Sequence, residues 1–454
     1  MTRTRRLITV LGSNDFKTCN CEGIRNCNYI QEIFIKKYQQ QIDEVLVLAT
    51  GKAIEFNRSA SKDNVDSYKL GLQETLEKIK EKEELSFNYK VMEVSKGYTE
   101  DKLWQLFNSL VEEVAMGDEI YLDLTCATNY QSLLIMNALN YLKVLKDIKI
   151  NSIEFALALM DDLEVQQKLD KLPKTGLGPS FLDLTALNYL DEWTKAVDNF
   201  CTTGSFKELE EIFSVDQERL AVITEDKDNF FQDLEQLLKV LKDFDLKLKS
   251  CRGRELNDAA LSVAKQLAKF DDKFNLNNQQ LLPYIRLLSK LKFKLNGLAM
   301  NNGTELQNYF QILDWCLEHN FIQQGWTLLT ENLVTIVSKE IGYNHNDEEV
   351  REDIKETLKY LHKKFQAWRE GYQLTPVGIM NDREVFEQVL AVVDKKYPDF
   401  PRLYSKFLKS KQDIDRLGMK RNSEDAQGLK KYLGEYIEDV KKIISKDLKR
   451  LQKK

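Results

Sequence analysis

Glu119-Ile120-Tyr121-Leu122-Asp123-Leu124-Thr125-Cys126-Ala127-Thr128-Asn129-Tyr130-Gln131-Ser132 runs from a short apolar stretch into hydroxyl and amide residues, and Ser132 to Lys146 then takes helical spacing. A strand that stops in a polar turn and leads into a helix is the building block of a parallel sheet. The same pattern recurs on both sides. Leu7-Ile8-Thr9-Val10-Leu11 ends in Gly12-Ser13-Asn14 and is followed by helical spacing from Tyr29 to Tyr38. Glu44 to Ala49 runs into Thr50-Gly51-Lys52, and Val65 to Lys82 reads as a charged amphipathic helix. Tyr89 to Val94, Glu100 to Met116 and Ile153 to Ala158 continue the alternation as strand, helix, strand. Apolar strands separated by helices of this length predict an α/β domain with a Rossmann-like, mostly parallel sheet covered on both faces.

Asp170 to Pro179, with Pro173, Gly176, Gly178 and Pro179, is the clearest break in the chain. After it strand signals nearly vanish. Helical stretches are expected at 186–200, 229–250, 257–269, 281–294, 306–319, 321–341, 348–368, 382–396 and 428–451, an all-α second half. The expected division is therefore an α/β domain over 1–170, a linker over 171–184 and a helical domain over 185–454. At 454 residues, more than one domain is the natural arrangement.

Composition narrows the chemistry. A net charge of −6 argues against a generally basic nucleic-acid coat. The apolar run Leu7 to Gly12 is too short for a signal or membrane segment, and seven cysteines, an odd number, fit a reducing cytoplasm. Cys19, Cys21 and Cys27 cluster in what reads as a loop, but zinc needs four ligands and no second set follows, so no metal is expected. No cofactor is expected either: GxGxxG and P-loop lysine motifs are missing, which argues against dinucleotides and NTPases. Histidine is scarce. His319, His345 and His362 are the three present, all in the second half, which constrains any general-base mechanism.

In an open parallel sheet, ligands bind beyond the carboxyl ends of the strands. The residues there are Gly12, Ser13 and Asn14 after the first strand, Thr50 after the second, and Thr125, Thr128, Asn129, Tyr130 and Gln131 after the strand quoted above. Backbone N–H groups and these side chains can hold phosphate or ribose hydroxyls and read a base edge, with Tyr130 able to stack on a base. Equally, Thr128 or Asn129 can serve only as a helix cap.

The same segments resemble the CRISPR-associated family with the Asp-x-Thr-His-Gly motif, proteins that join a CARF domain to a HEPN domain. Leu11 to Phe16, then Cys19 and Tyr29-Ile30-Gln31-Glu32, are similar to that family's opening, and Asp123-Leu124-Thr125 falls at its motif. Asn140 to Lys143, Phe181 to Thr185 and Glu192 to Asp198 resemble later segments. The resemblance implies a homodimer that binds cyclic oligoadenylate in type III antiviral defence, with a HEPN domain that cleaves single-stranded RNA when the ligand binds. Two departures qualify it. His-Gly of the motif is Cys126-Ala127 here. The HEPN signature Arg-x4-His falls on Lys411 to Met419 and puts Lys411 at the arginine and Arg416 at the histidine, while a shifted frame from Arg421 puts Ala426 there. Without an imidazole the usual general acid–base route is lost, although Lys411 and Arg416 can still hold phosphate. Three readings stay open: a sensor with a degenerate HEPN domain, a ribonuclease working through Lys411 and Arg416, and an enzyme that cuts the cyclic ligand in the CARF pocket.

Overall fold

The structure is a computed structural model and describes residues 3–12, 19–21, 24–57, 61–62, 68–69, 71–95, 99–156, 181–224, 229–271, 279–298, 305–371, 382–416, 418–419 and 423–451. The chain divides into two compact units, Met1–Asn188 and Tyr189–Lys454.

The first unit is built on a six-stranded sheet. Its strands are β1 (Arg5–Leu11), β4 (Glu44–Ala49), β7 (Asn88–Glu93), β8 (Glu119–Asp123), β9 (Lys149–Ala156) and β10 (Phe181–Asp183), in the order β10-β9-β8-β1-β4-β7. The first five are parallel to one another and β10 runs antiparallel to β9 at the edge. β1 pairs Leu11 with Ala49 of β4 and Thr9 with Asp123 of β8, so the carboxyl ends of these central strands come out together.

Side-chain parity explains why the central strands are mostly apolar. Successive residues point to opposite faces. Leu7 and Leu11 therefore enter one core with Val45, Val47 and the helices α1 (Ile30–Tyr38) and α3 (Leu72–Lys82). Ile8 and Val10 enter the other with Leu46, Leu48 and the helices α4 (Glu100–Glu113) and α5 (Asn129–Lys146). At the amino ends, Arg6 is nearly buried and is held by Asp118 (3.1 Å) and Glu44 (2.9 Å).

Three local expectations change. The helix expected from Val65 starts only at Leu72, because Tyr68–Lys69 (β6) pairs antiparallel with Ser61–Lys62 (β5). The cysteine segment expected as a loop forms the strands Cys19–Cys21 (β2) and Ile24–Cys27 (β3), two runs too short to show alternation in sequence. Phe181–Asp183, which the sequence places in the linker, joins the sheet, and Leu184 N–H donates to Ile153 O (2.8 Å).

The second unit is helical, with one continuous core that includes Phe230, Trp326, Phe400, Tyr404, Phe407 and Leu433. Lys207–Thr224 and Phe400–Asp415 are helices beyond those the sequence pattern outlines. Phe400–Asp415 carries Pro401 in its first turn, where a missing N–H costs nothing. Gly325 lets helix Ile322–Glu340 approach helix Ala426–Leu451, since a Cβ there would come within 2.6 Å of Leu433 Cδ2. Among the described residues no helix is long and apolar enough to cross a membrane.

Candidate functional site

The carboxyl ends of β1 and β8 are tied by a chain of hydrogen bonds. Gln31 Nε2 donates to Thr9 Oγ1 (2.9 Å) and to Val10 O (3.1 Å). Thr9 Oγ1 donates in turn to Asp123 Oδ2 (2.6 Å), and Asp123 Oδ1 accepts from Thr125 N (2.8 Å). Thr9, Gln31 and Asp123 are all buried. Burial pushes the Asp123 carboxyl up to about 6 against the pull of its Thr125 and Thr9 hydrogen bonds, and nearby Glu154 adds to the rise. Glu154 itself meets Lys37 at 2.8 Å. Asp123 is therefore a structural anchor that orients the start of the loop.

That loop is held in place along its length. Thr125 Oγ1 accepts from Ala156 N (2.9 Å), which fixes the loop to the end of β9. Thr128 stands at the N-cap of α5, and Gln131 Oε1 accepts from both Thr128 N (3.0 Å) and Thr128 Oγ1 (2.9 Å). Gln131 is buried, and its carbonyl is turned back onto the helix start, in keeping with a capping role. Thr128 and Asn129 are exposed, and Tyr130 is half-exposed. Thr50 Oγ1 accepts from Ala53 N (3.3 Å) at the end of β4. Gly12 follows β1 directly, whereas Ser13 and Asn14 lie outside the described residues.

Sequence reasoning missed three residues here. Thr9 is the polar residue inside an otherwise apolar strand, which was the available signal. Gln31 gives a similar signal, as a polar residue on the buried face of α1. Glu93 reaches Gly51 so closely that a Cβ there would lie 2.9 Å from Glu93 Oε1, and no local pattern announces that approach.

In the helical unit, Lys411 is half-buried on helix Phe400–Asp415 and Arg416 is exposed at its C-cap. Among the described residues no hydrogen bond or ion pair joins the two. Lys411 lies within electrostatic reach of Glu331: burial raises that carboxyl, and Arg351, Lys355 and Lys411 more than offset the rise and leave it lowered. None of the three histidines lies on that helix. His319 is buried against Trp315 with Nδ1 3.1 Å from Thr202 O, and His345 and His362 are each lowered, first by burial.

No protein-family model matches the chain. The sequence is similar to CRISPR-associated protein MJ1674 of Methanocaldococcus jannaschii, with 25% identity over 282 residues, 54% of this chain and 42% of that protein. The chain thus spans less than half the length of the relative it matches.

Proposed function

We propose that the α/β unit binds cyclic oligoadenylate at its strand ends, and that the protein is a sensor of type III CRISPR antiviral defence whose HEPN-like helical half is degenerate. The observation that carries the proposal is the start of α5. There Thr125, Thr128 and Asn129 stand at the carboxyl end of β8 on a loop fixed by partly buried hydrogen bonds, in the place where open parallel sheets take ligands. The distant similarity to a protein named CRISPR-associated supports the same reading.

The homodimer belongs to this proposal. Leu133, Tyr141, Val144 and Leu145 are exposed along one stripe of α5, and Trp104 of α4 is exposed too. Phe107 bridges Trp104 and Tyr141 with ring centroids at 5.6 and 5.4 Å. An apolar patch of this kind is suited to a second copy of the chain.

The test is to incubate the purified protein with labelled cyclic tetra- and hexa-adenylate, with and without single-stranded RNA, and follow both labels. The expected result is bound, intact ring and RNA at background. Shortened ring would support a ligand-degrading enzyme instead. RNA cleavage that disappears in Arg416→Ala would support an active ribonuclease.

A further inference from the structure

The helical unit holds a cavity of about 350 Å³, independent of the strand-end reading. Its walls come from the first turn of helix Gly253–Ala268, Tyr309, one face of helix Ile322–Glu340, and the loop and first turns of helix Glu348–Arg369. The volume suits a small metabolite.

Three features point to what it would take. Asn332 lines the cavity, is 7% exposed, and among the described residues its amide has no hydrogen-bond partner. An unpaired amide that opens onto the cavity can serve a ligand that offers it both a donor and an acceptor. Arg254 supplies the charge. Its guanidinium is steered by Asn346, through Nε to Oδ1 at 3.1 Å and through a second bond to the Asn346 carbonyl, and among the described residues it has no carboxylate in ion-pair range. Gly253 opens a 16-residue helix whose N-cap, Arg252, makes no side-chain cap, so the positive end of that helix meets the same cavity.

The remaining charges are largely settled among themselves. Glu331 meets Arg351 at 2.6 Å and Lys355 at 3.4 Å, and Glu352 meets Lys355 at 3.7 Å. Glu348 is exposed in the first turn of its helix, where a carboxylate is favoured. His345 Nε2 lies 3.4 Å from Glu305 Oε1, and burial with Lys339, Arg351 and Arg254 lowers the imidazole against that carboxylate. A neutral imidazole beside a free guanidinium and an open helix start is a set of donors for an anion.

We propose that this cavity binds a small organic phosphate, with the phosphate on Arg254, His345 and the amino end of helix Gly253–Ala268, and the organic part hydrogen-bonded by Asn332. Such a ligand uses the one cation without a carboxylate partner and the one amide without a hydrogen bond on the cavity wall, among the described residues.

The test titrates the full-length protein with inorganic phosphate, ribose 5-phosphate, adenosine 5′-monophosphate and adenosine, by calorimetry and by thermal shift. Saturable binding of at least one organic phosphate is expected, at least about tenfold tighter than adenosine. Arg254→Ala, at an exposed position, weakens it by about tenfold or more. Asn332→Leu weakens the organic phosphate while leaving inorganic phosphate unchanged. The proposal is overturned by no saturable binding of any probe, by affinities unchanged in both Arg254→Ala and Asn332→Leu, or by adenosine binding as well as its phosphate.

Discussion

The strand ends of the α/β unit hold a fully buried carboxylate and the cavity wall of the helical unit a partly buried one, and they treat them in opposite ways. Asp123 receives a hydroxyl and a backbone N–H but, among the described residues, no cation, and burial raises its pKa. Glu331 receives Arg351 and Lys355, and its pKa falls despite burial. Desolvation acts on both; the neighbouring charge decides the sign. The first arrangement orients a loop without spending a cation that a phosphate-bearing ligand would need. The second matches Glu331 to cations on its own wall.

The largest test of that contrast is Asp123→Asn. An amide fits the same site, its oxygen accepting from Thr125 N–H and its NH2 donating to Thr9 Oγ1. The raised carboxyl lends stability that is complete below its unfolded value near 3.8 and is lost as pH rises through about 6. The stability of wild type relative to Asp123→Asn therefore falls with rising pH, by about 3 kcal/mol in all at ~1.4 kcal/mol per pH unit, and about 2 kcal/mol of this lies between pH 4.5 and 7.5. Urea unfolding across that range checks it; a pH-independent difference would mean that Asp123 titrates like an exposed carboxylate.

Arg351→Ala probes the other side. It removes hydrogen bonds to Glu331, Thr335 and His345 O and leaves Glu331 with Lys355 alone. Because Glu331 is partly exposed, the expected loss is about 2 kcal/mol, below that of a fully buried pair. It should be greatest at neutral pH and shrink as acid protonates Glu331, since a lowered carboxyl lends stability above its unfolded value. Gln131→Ala is the smallest of the three. It strips the cap acceptor from Thr128 and should cost about 1 kcal/mol in unfolding experiments, whatever it does to ligand binding.

Much of the α/β unit was legible because strands buried on both faces are mostly apolar, as in Leu7 to Leu11 with its single Thr9 and in Val45 to Ala49. The three-residue edge strand Phe181–Asp183 has no such run, with Leu182 and Asp183 exposed. Phe400–Asp415 was obscured by Pro398 and Pro401, which read as breaks although the first turn of a helix tolerates proline. At the site, Thr125 to Gln131 could be picked out because they are contiguous. The Gln31–Thr9–Asp123 chain could not, since three elements far apart in sequence meet only after folding. The cavity around Asn332 was invisible for the same reason: its walls are drawn from 251 to 355 with no shared motif.

The proposed ligand site at the start of α5 can be checked by equilibrium titration with labelled cyclic tetra- and hexa-adenylate. Asn129 is exposed at the first position of α5, so Asn129→Ala leaves the fold intact while removing a ligand-facing amide. Wild type should bind at least one ring size saturably, and Asn129→Ala should bind it more weakly by about 1–3 kcal/mol, with Arg254→Ala unchanged as the control. Wild type that binds neither ring, or an Asn129→Ala variant that binds as tightly as wild type, would contradict the account.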